Sequence, residues 1–382
     1  MWPKCTPRSA SQVRRVAPCI TSTIGTVTQS QLLARPPHGV RGVPLAQALA
    51  AGALERYDLP DPPDALSVRP VRHGLLNRGL RIDGPSGGYF LKQYLDDAGR
   101  APGAAIAAQH RAIAALRDRG LPTAPPLTAR DGRSTVLLRG RRYALFPWVE
   151  GEHRTGRELD PAQCAELGTL LGRIHRTLGE LHPPVLQPTA LPPADPADTE
   201  RTITQLLDRS LRHDPQEPFD SLARTRLRER RALLAEHRHR RPAADAAPPT
   251  GWVHGDFHPL NLLYRDQAPV AVLDWDRLGL RPRTEEAVRA ATLFFNHPET
   301  GVLDLHRLRH YARGYRAASG SSPDEVAAGV HRVWWERLND FWMLRWRYRR
   351  RDLRADPLFP AAAAQTVWWC EEYEQVLDAC VN

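Results

Sequence analysis

Three oxygen-bearing side chains, Asp256, Asn261 and Asp274, have a spacing that allows them to do chemistry together. An apolar run leads up to Asp256, and two short apolar runs joined by a polar turn bring the chain back to Asp274. Mg²⁺ takes oxygen ligands, commonly one or two carboxylates together with phosphates. One side chain to orient a hydroxyl and two to hold a metal are what phosphoryl transfer requires. The alternative is a polar turn with solvated acids, but the coincidence of three elements favours the chemical interpretation.

Before Gly151 the pattern predicts a small α+β unit that would support part of this site. A Gly-rich loop at 84–88 separates two apolar runs, and Gly120 with Pro122 closes an amphipathic helix. The expected elements are a short helix over 44–57, strands around 66–71, 80–82, 89–94, 135–138 and 143–146, and a helix over 104–119.

After Gly151 the pattern is mostly helical, with a long helix over 161–178 and helices from 284 to the end. The only strand-like runs in this part are around 252–254, 262–264 and 270–273. The tryptophans of the C-terminal helices are expected to pack in the core, with lining of an acceptor pocket as the alternative. The arginines between 345 and 351 are expected to lie on a solvated helix face.

Charge and composition exclude several classes of protein. The net charge is +10, and six basic residues precede the first acid, Glu55. We predict that residues 1–42 form a disordered basic tail. A transit peptide, a nucleic-acid-binding arm and a start placed too far upstream are the alternatives. We expect no nucleic-acid partner, and no apolar run is long enough to span a membrane. Five widely spaced cysteines indicate a reducing compartment, so we expect a cytoplasmic protein.

The segment 254–261, His-Gly-Asp-x-x-x-x-Asn, followed by Asp-Trp-Asp at 274–276, resembles the aminoglycoside phosphotransferase and choline kinase-like superfamily of small-molecule kinases. The resemblance covers roughly residues 60–380 and implies an α+β, protein-kinase-like bilobal fold. It implies a small N-terminal antiparallel sheet lobe over 43–149 and a larger, mainly helical lobe over 150–382.

The resemblance also implies the roles of the site residues. Asp256 would be the catalytic residue that accepts or steers the hydroxyl proton, and Asn261 and Asp274 would bind Mg²⁺. His254 and Gly255 would shape the loop. Asp276 would support the metal site from just beyond it.

Lys92 is the clearest candidate in the N-terminal unit. The chain has 53 basic residues, and only Lys4 and Lys92 are lysines. A compact ammonium can reach between phosphates where the larger, forked guanidinium cannot, so we predict that Lys92 binds the α- and β-phosphates of ATP. The hairpin that contains Gly74 and Asn77 would cover the phosphates, with an ordinary β-turn as the alternative.

Three further positions follow from the resemblance. Kinase-like folds pair the lysine with a glutamate on the next helix, and that position holds Gln109, which could accept a hydrogen bond from Lys92. Backbone groups from Phe146 to Val149 would contact the adenine, or this is simply a strand end. His175 is expected to pack behind the catalytic loop.

The expected activity is an ATP- and Mg²⁺-dependent transfer of a phosphate to a hydroxyl of a small molecule. The acceptor is open among sugars, amino alcohols, aminoglycosides and hydroxy amino acids such as homoserine. A non-catalytic nucleotide-binding protein is the alternative that Gln109 raises. The oligomeric state is not predicted.

Overall fold

Five antiparallel strands form a sheet in the first part of the chain. The computed structural model describes residues 50–71, 78–94, 103–181 and 192–382, which all belong to one unit spanning 39–382. The strands are β1 (Ser67–Val71), β2 (Arg78–Gly84), β3 (Gly87–Tyr94), β4 (Val136–Leu138) and β5 (Arg141–Pro147), in the order β1-β2-β3-β5-β4. The five predicted strands are therefore confirmed.

Strand β3 lies in the middle of the sheet and carries Lys92, which is opposite Gly79 on β2 and Ala144 on β5. Successive side chains of a strand point to opposite faces. Leu91 packs into a small core with Leu145, and Lys92 lies on the other face, 7% exposed. Helix α1 (Gly103–Asp118) lies on the side of Lys92, since the Tyr94 hydroxyl is 2.9 Å from the His110 Nε2.

The remaining chain is mainly helical, as predicted. Its larger helices are α2 (Pro161–Leu181), α3 (Pro196–Leu211), α4 (Pro218–His237), α5 (Arg283–Phe294), α6 (Leu305–Ser319), α7 (Pro323–Asn339), α8 (Trp342–Arg345), α9 (Phe359–Glu371) and α10 (Tyr373–Val381). Two small antiparallel pairs interrupt them, β6 (Thr250–Val253) with β9 (Gly279–Pro282) and β7 (Leu262–Arg265) with β8 (Ala268–Val272). Among the helices of the described ranges, none is long and apolar enough to cross a bilayer.

Helices α2 and α6 pack with their backbones in close approach. A Cβ added at Gly168 would lie 2.0 Å from the carbonyl oxygen of Tyr311, and one added at Gly314 would lie 2.1 Å from that of Ala165. Only glycine fits at such distances. The pair therefore forms a tightly packed frame behind the loop that follows β6.

One large core unites these helices with α1, and it contains three of the C-terminal tryptophans. Trp334, Trp335 and Trp369 are at most 1% exposed, which confirms the core interpretation for them. At the N-terminal end, residues 50–54 are helical, and the first part of the helix predicted over 44–57 lies outside the described residues.

The prediction for the arginines between 345 and 351 is wrong at Arg347. That side chain is 3% exposed, and it forms ion pairs with Glu217 and Asp356 and lies over the ring of Phe219. The reason is local: a π-helical turn over Trp346–Arg350 follows α8 and directs Arg347 inward.

Candidate active site

The loop after β6 and the hairpin β7–β8 bring together the three residues singled out from the sequence. The backbone N–H of Leu273 donates to the carbonyl of Asn261 at 2.8 Å, which places Asp274 beside the loop. The Asn261 Nδ2 donates to the carbonyl of Asp256 at 2.9 Å. The predicted convergence of Asp256, Asn261 and Asp274 therefore exists in the fold.

His254 fixes the shape of this loop from inside. It is fully buried, its Nε2 lies 2.9 Å from the carbonyl of Leu273, and its Nδ1 accepts the backbone N–H of Asp256 at 3.1 Å. Burial lowers the pKa of His254, so the neutral ring that this arrangement requires is favoured. At Gly255 φ is +85°, and a Cβ there would lie 2.2 Å from the carbonyl of Arg277.

Glu286 of α5 holds the same loop and was missed from the sequence. Its carboxylate accepts the backbone N–H of His254 at 2.9 Å and that of Gly255. His175 of α2 lies 2.8 Å from the same carboxylate, and this agrees with the packing role expected for His175. Burial raises the pKa of Glu286, but the hydrogen bond and charge of His175 outweigh it and bring the pKa below its usual range.

Asp256 is surrounded by positive charge that the sequence did not reveal. Its carboxylate lies 3.3 Å from the Arg289 Nη2, 3.8 Å from the Arg277 Nε and 3.7 Å from the His258 Nε2. Burial raises the pKa of Asp256, but the neighbouring His258 and the charges of both arginines outweigh it and hold the pKa well below its usual range. Asp256 is therefore an anion that can accept a hydrogen bond from a hydroxyl.

Lys92 joins the sheet to the loop region. Its Nζ lies 2.7 Å from the Asp274 Oδ1 and 2.7 Å from the Asp276 Oδ1. Burial lowers the pKa of the ammonium, but the two carboxylates outweigh it and raise the pKa above its ordinary value. The two acids of the Asp-Trp-Asp segment thus share a single cation.

The side chain of Gln109 contacts the backbone of the same segment. Its Nε2 donates to the carbonyl of Asp276 at 3.1 Å, whereas the hydrogen bonds of the Lys92 ammonium go to Asp274 and Asp276. The helix glutamine therefore braces the segment that pairs with the lysine. That Gln109 takes the place of the usual acidic partner of Lys92 stays a prediction.

The remaining nucleotide positions are less defined. Gly74 and Asn77 lie outside the described residues, so the phosphate-covering hairpin stays a prediction. Phe146 is the residue before the last in strand β5, opposite Phe90 on β3, and its ring lies 5.7 Å from that of His110. Phe146 and Val149 are half-buried, and their adenine contacts also stay a prediction.

The donor set at Asn261 and Asp274 suits Mg²⁺. These side chains supply an amide oxygen and a carboxylate oxygen, which are hard ligands. The hydrogen bond from its own nitrogen orients the Asn261 carboxamide, and Asp274 adopts a left-handed backbone conformation with φ +57° that directs the chain through the site. In the part of the chain that the structure describes, no three His, Cys, Asp or Glu side chains converge as a metal site. Phosphate oxygens would have to complete the coordination.

The antiparallel sheet and the larger helical part define a protein-kinase-like fold. Residues 67–320, well over half of the chain, match the phosphotransferase enzyme family. The chain belongs to this family. The resemblance on the motifs at 254–261 and 274–276 and the predicted bilobal α+β fold are both confirmed.

Individual relatives agree with this class. The chain is 28% identical over 228 residues to a homoserine kinase of Gluconacetobacter diazotrophicus, a match that covers 59% of this chain and 64% of that protein, less than two thirds of its length. It is 26% identical over 276 residues to a homoserine kinase of Cupriavidus taiwanensis, which covers 66% of this chain and 77% of that protein. The spectinomycin phosphotransferase complex with ADP and spectinomycin superposes with a TM-score of 0.60 at 15% identity. The match covers 86% of this chain and 98% of that chain.

Proposed function

We propose that the chain is an ATP- and Mg²⁺-dependent kinase whose chemistry takes place between Asp256 and the Lys92–Asp274 pair. The observation that carries this proposal is the convergence of Asp256, Asn261 and Asp274 beside a buried lysine. ADP in the related spectinomycin phosphotransferase supports an adenine nucleotide. In this proposal the N-terminal lobe over 43–149 binds the nucleotide, and the lobe over 150–382 carries the catalytic acids and the acceptor site.

Asp256 holds the acceptor in place. Its carboxylate accepts a hydrogen bond from the acceptor hydroxyl and aims that oxygen at the γ-phosphorus. The bond between the acceptor oxygen and the γ-phosphorus forms as the bond between the γ-phosphorus and the β–γ bridging oxygen of ATP breaks. ADP leaves, and the hydroxyl proton passes to Asp256. Because the pKa of Asp256 is low, the carboxylate is a weak base, and its main contribution is orientation.

Lys92 binds the α- and β-phosphates in exchange for part of its contact with Asp274 and Asp276. Asn261 and Asp274 would hold Mg²⁺, which neutralises charge that develops on the phosphate oxygens. Asp276 keeps the lysine directed into the site, and Gln109 braces Asp276. Gly74, Asn77, Phe146 and Val149 complete the nucleotide site in this proposal.

The acceptor is a small molecule with a hydroxyl group, and a hydroxy amino acid is the class that the two homoserine kinase relatives favour. The basic surroundings of Asp256 favour it over polycationic aminoglycosides, which require acidic clefts. A nucleic-acid partner is not part of the proposal. A cytoplasmic location is supported by Cys164, Cys370 and Cys380, which are free and buried in the described chain.

A coupled ADP-release assay across sugars, amino alcohols, aminoglycosides and hydroxy amino acids tests the proposal. We expect turnover with at least one acceptor and a loss of at least about 1,000-fold in Asp256→Asn, with ADP binding and thermal midpoint unchanged. Asp266→Asn is the matched control, because Asp266 is exposed in the β7–β8 turn and asparagine also accepts its φ of +47°. Wild-type turnover in Asp256→Asn would contradict the proposal.

A further inference from the structure

The positive charge near Asp256 exceeds what that one carboxylate can pair. Arg289 and Arg277 both face it, at distances longer than those of a close ion pair. Their side chains are 31% and 45% exposed, so a ligand can reach both of them. A ligand entering beside Asp256 therefore meets unused cationic donors.

A third arginine extends this charge away from Asp256. The Arg337 Nη2 on α7 donates to the Thr292 hydroxyl at 3.1 Å, and that hydroxyl donates to the carbonyl of Arg289 at 2.7 Å. Burial and the neighbouring Arg289 lower the pKa of Arg337. Two guanidinium groups from different helices thus lie close enough to repel one another.

Arg337 also lines a small cavity of about 40 Å³ between α4, α7, α8 and α9, which is partly open to solvent. Two more arginines of its wall come from α4, and much of the rest is apolar or aromatic. Its wall includes Arg226, Arg230, Phe341, Trp342, Phe359 and Thr366.

The acids of the cavity do not balance these arginines. Asp340 is the acid in its wall, and it pairs with Arg345 at 2.8 Å. Arg226 pairs with Glu229, but the guanidinium of Arg230 is 7% exposed and donates to the carbonyls of Arg337 and Leu338. Burial lowers the pKa of Arg230 to about 10. A buried guanidinium that contacts carbonyls but no carboxylate is stabilised when an anion enters its cavity.

We propose that the acceptor of this kinase carries a carboxylate or phosphate group, held by Arg289 and Arg337 with its hydroxyl at Asp256, and that the arginines of the cavity wall favour this negative charge. The inference rests on the proposed function and assigns the substrate class and two specificity-determining residues. A guanidinium binds a carboxylate or a phosphate through two parallel hydrogen bonds, so either group satisfies the site. Cationic acceptors are repelled by the same arginines.

Matched acceptor pairs test the charge directly. 4-Hydroxybutyrate is compared with 4-hydroxybutyramide, and sn-glycerol 3-phosphate with glycerol, which separates a carboxylate from a phosphate. We expect the KM of the anion in one pair to be at least about tenfold lower than that of its neutralised partner. Equal KM values within both pairs, or faster turnover of choline or spectinomycin, would overturn the inference while leaving the kinase assignment intact.

Variants then test the two arginines. Arg289→Gln and Arg337→Gln should raise the KM for the anion about 10- to 100-fold and leave the KM of the neutralised partner unchanged. Arg289→Lys should recover part of the loss, because it restores charge without the planar fork. Arg228→Gln is the control, since Arg228 is an exposed arginine of α4. Equal effects on both acceptors of a pair would overturn the inference.

A binding measurement covers the case in which no acceptor is turned over. Malonate, a small dicarboxylate, is added to the protein saturated with Mg²⁺ and ADP, and the thermal midpoint is recorded. We expect malonate to raise the midpoint of the wild type and of Asp256→Asn, and to raise it less in Arg289→Gln and Arg337→Gln. No increase in the wild type would overturn the inference, whereas activity lost in Asp256→Asn alone bears on the kinase proposal.

Discussion

The Nε2 of His175 lies 2.8 Å from the carboxylate of Glu286, and both side chains are buried. That carboxylate accepts the backbone N–H groups of His254 and Gly255, just before Asp256 in the chain. Helix α2 and helix α5 therefore hold the loop through one acid. A buried N–H group left without a partner costs about 1–3 kcal/mol, so the loop depends on this arrangement.

Replacing that acid should loosen the loop. In Glu286→Gln one acceptor oxygen becomes a donor, and we expect a loss of about 1–3 kcal/mol in the free energy of unfolding. We also expect kcat to fall at least about 100-fold with ADP binding retained, because Asp256 loses its orientation. Denaturant unfolding and steady-state kinetics measure these effects. Glu299→Gln, an exposed position beyond the same helix, is the control, and an unchanged kcat in Glu286→Gln would contradict the role.

The lysine between two carboxylates should tolerate no replacement. Lys92→Met leaves Asp274 and Asp276 without their shared cation, and Lys92→Arg places a larger forked group in the same space. We expect both to lower turnover at least about 100-fold. Calorimetric titration with Mg²⁺ and ADP should show weaker binding in Lys92→Met. Arg141→Gln, exposed on the neighbouring strand β5, should behave as the wild type. Normal kinetics in Lys92→Arg would remove the need for a lysine.

Two glycines of the same helix predict opposite effects on stability. Gly168→Ala places a Cβ 2.0 Å from the carbonyl of Tyr311, so α2 and α6 must separate, and we expect a loss of about 1–3 kcal/mol. Nothing lies within 4 Å of a Cβ at Gly179, and Gly179→Ala should gain about 0.5–1 kcal/mol from helix propensity. Denaturant unfolding measures both. Equal effects of the two substitutions would contradict the close packing of the helices.

His110 should make stability depend on pH. Burial and then the charge of Lys92 lower the pKa of His110 to about 4, below the 6.5 of the unfolded chain. The unfolded state therefore binds the proton more tightly, so the stabilisation is present above pH 6.5 and is lost as the pH falls toward 4. We expect this histidine to contribute about 1–3 kcal/mol over that window.

Denaturant unfolding at several pH values measures this contribution. His110→Gln should reduce the slope between pH 6.5 and 4, and exposed His239→Gln should leave it unchanged. Some slope should persist, because burial also lowers the pKa of other histidines, namely His237, His254 and His331. An identical slope in His110→Gln and the wild type would contradict the assignment.

The strands and the main helices could be predicted from the sequence, because their apolar residues repeat with periods that identify the element. The acids at 256 and 274 and Lys92 could also be predicted, since the loop, the hairpin and the rarity of lysine mark them locally. Arg347 was predicted to be exposed and is buried, because the periodicity of a regular helix does not reveal a π-helical turn.

Glu286, Arg289 and Arg337 could not be found in this way. Glu286 meets the catalytic loop across 31 positions of sequence, and in the chain it resembles any acid in the first turn of a helix. Arg289 and Arg337 do not stand out in the sequence, because almost every basic residue of this chain is an arginine. They come together only because α5 packs against α7, and this packing cannot be read from any single segment of the sequence.

The contacts of Lys92 have a consequence for how the site fills. Without a nucleotide the ammonium already has two carboxylate counter-ions, and Asp256 already has its arginines. Nucleotide binding is then an exchange of partners at the lysine, with little net gain of ion pairs there. An ordinary salt concentration should therefore change nucleotide affinity only weakly, and selectivity should depend on which ligand replaces each internal partner with the better geometry.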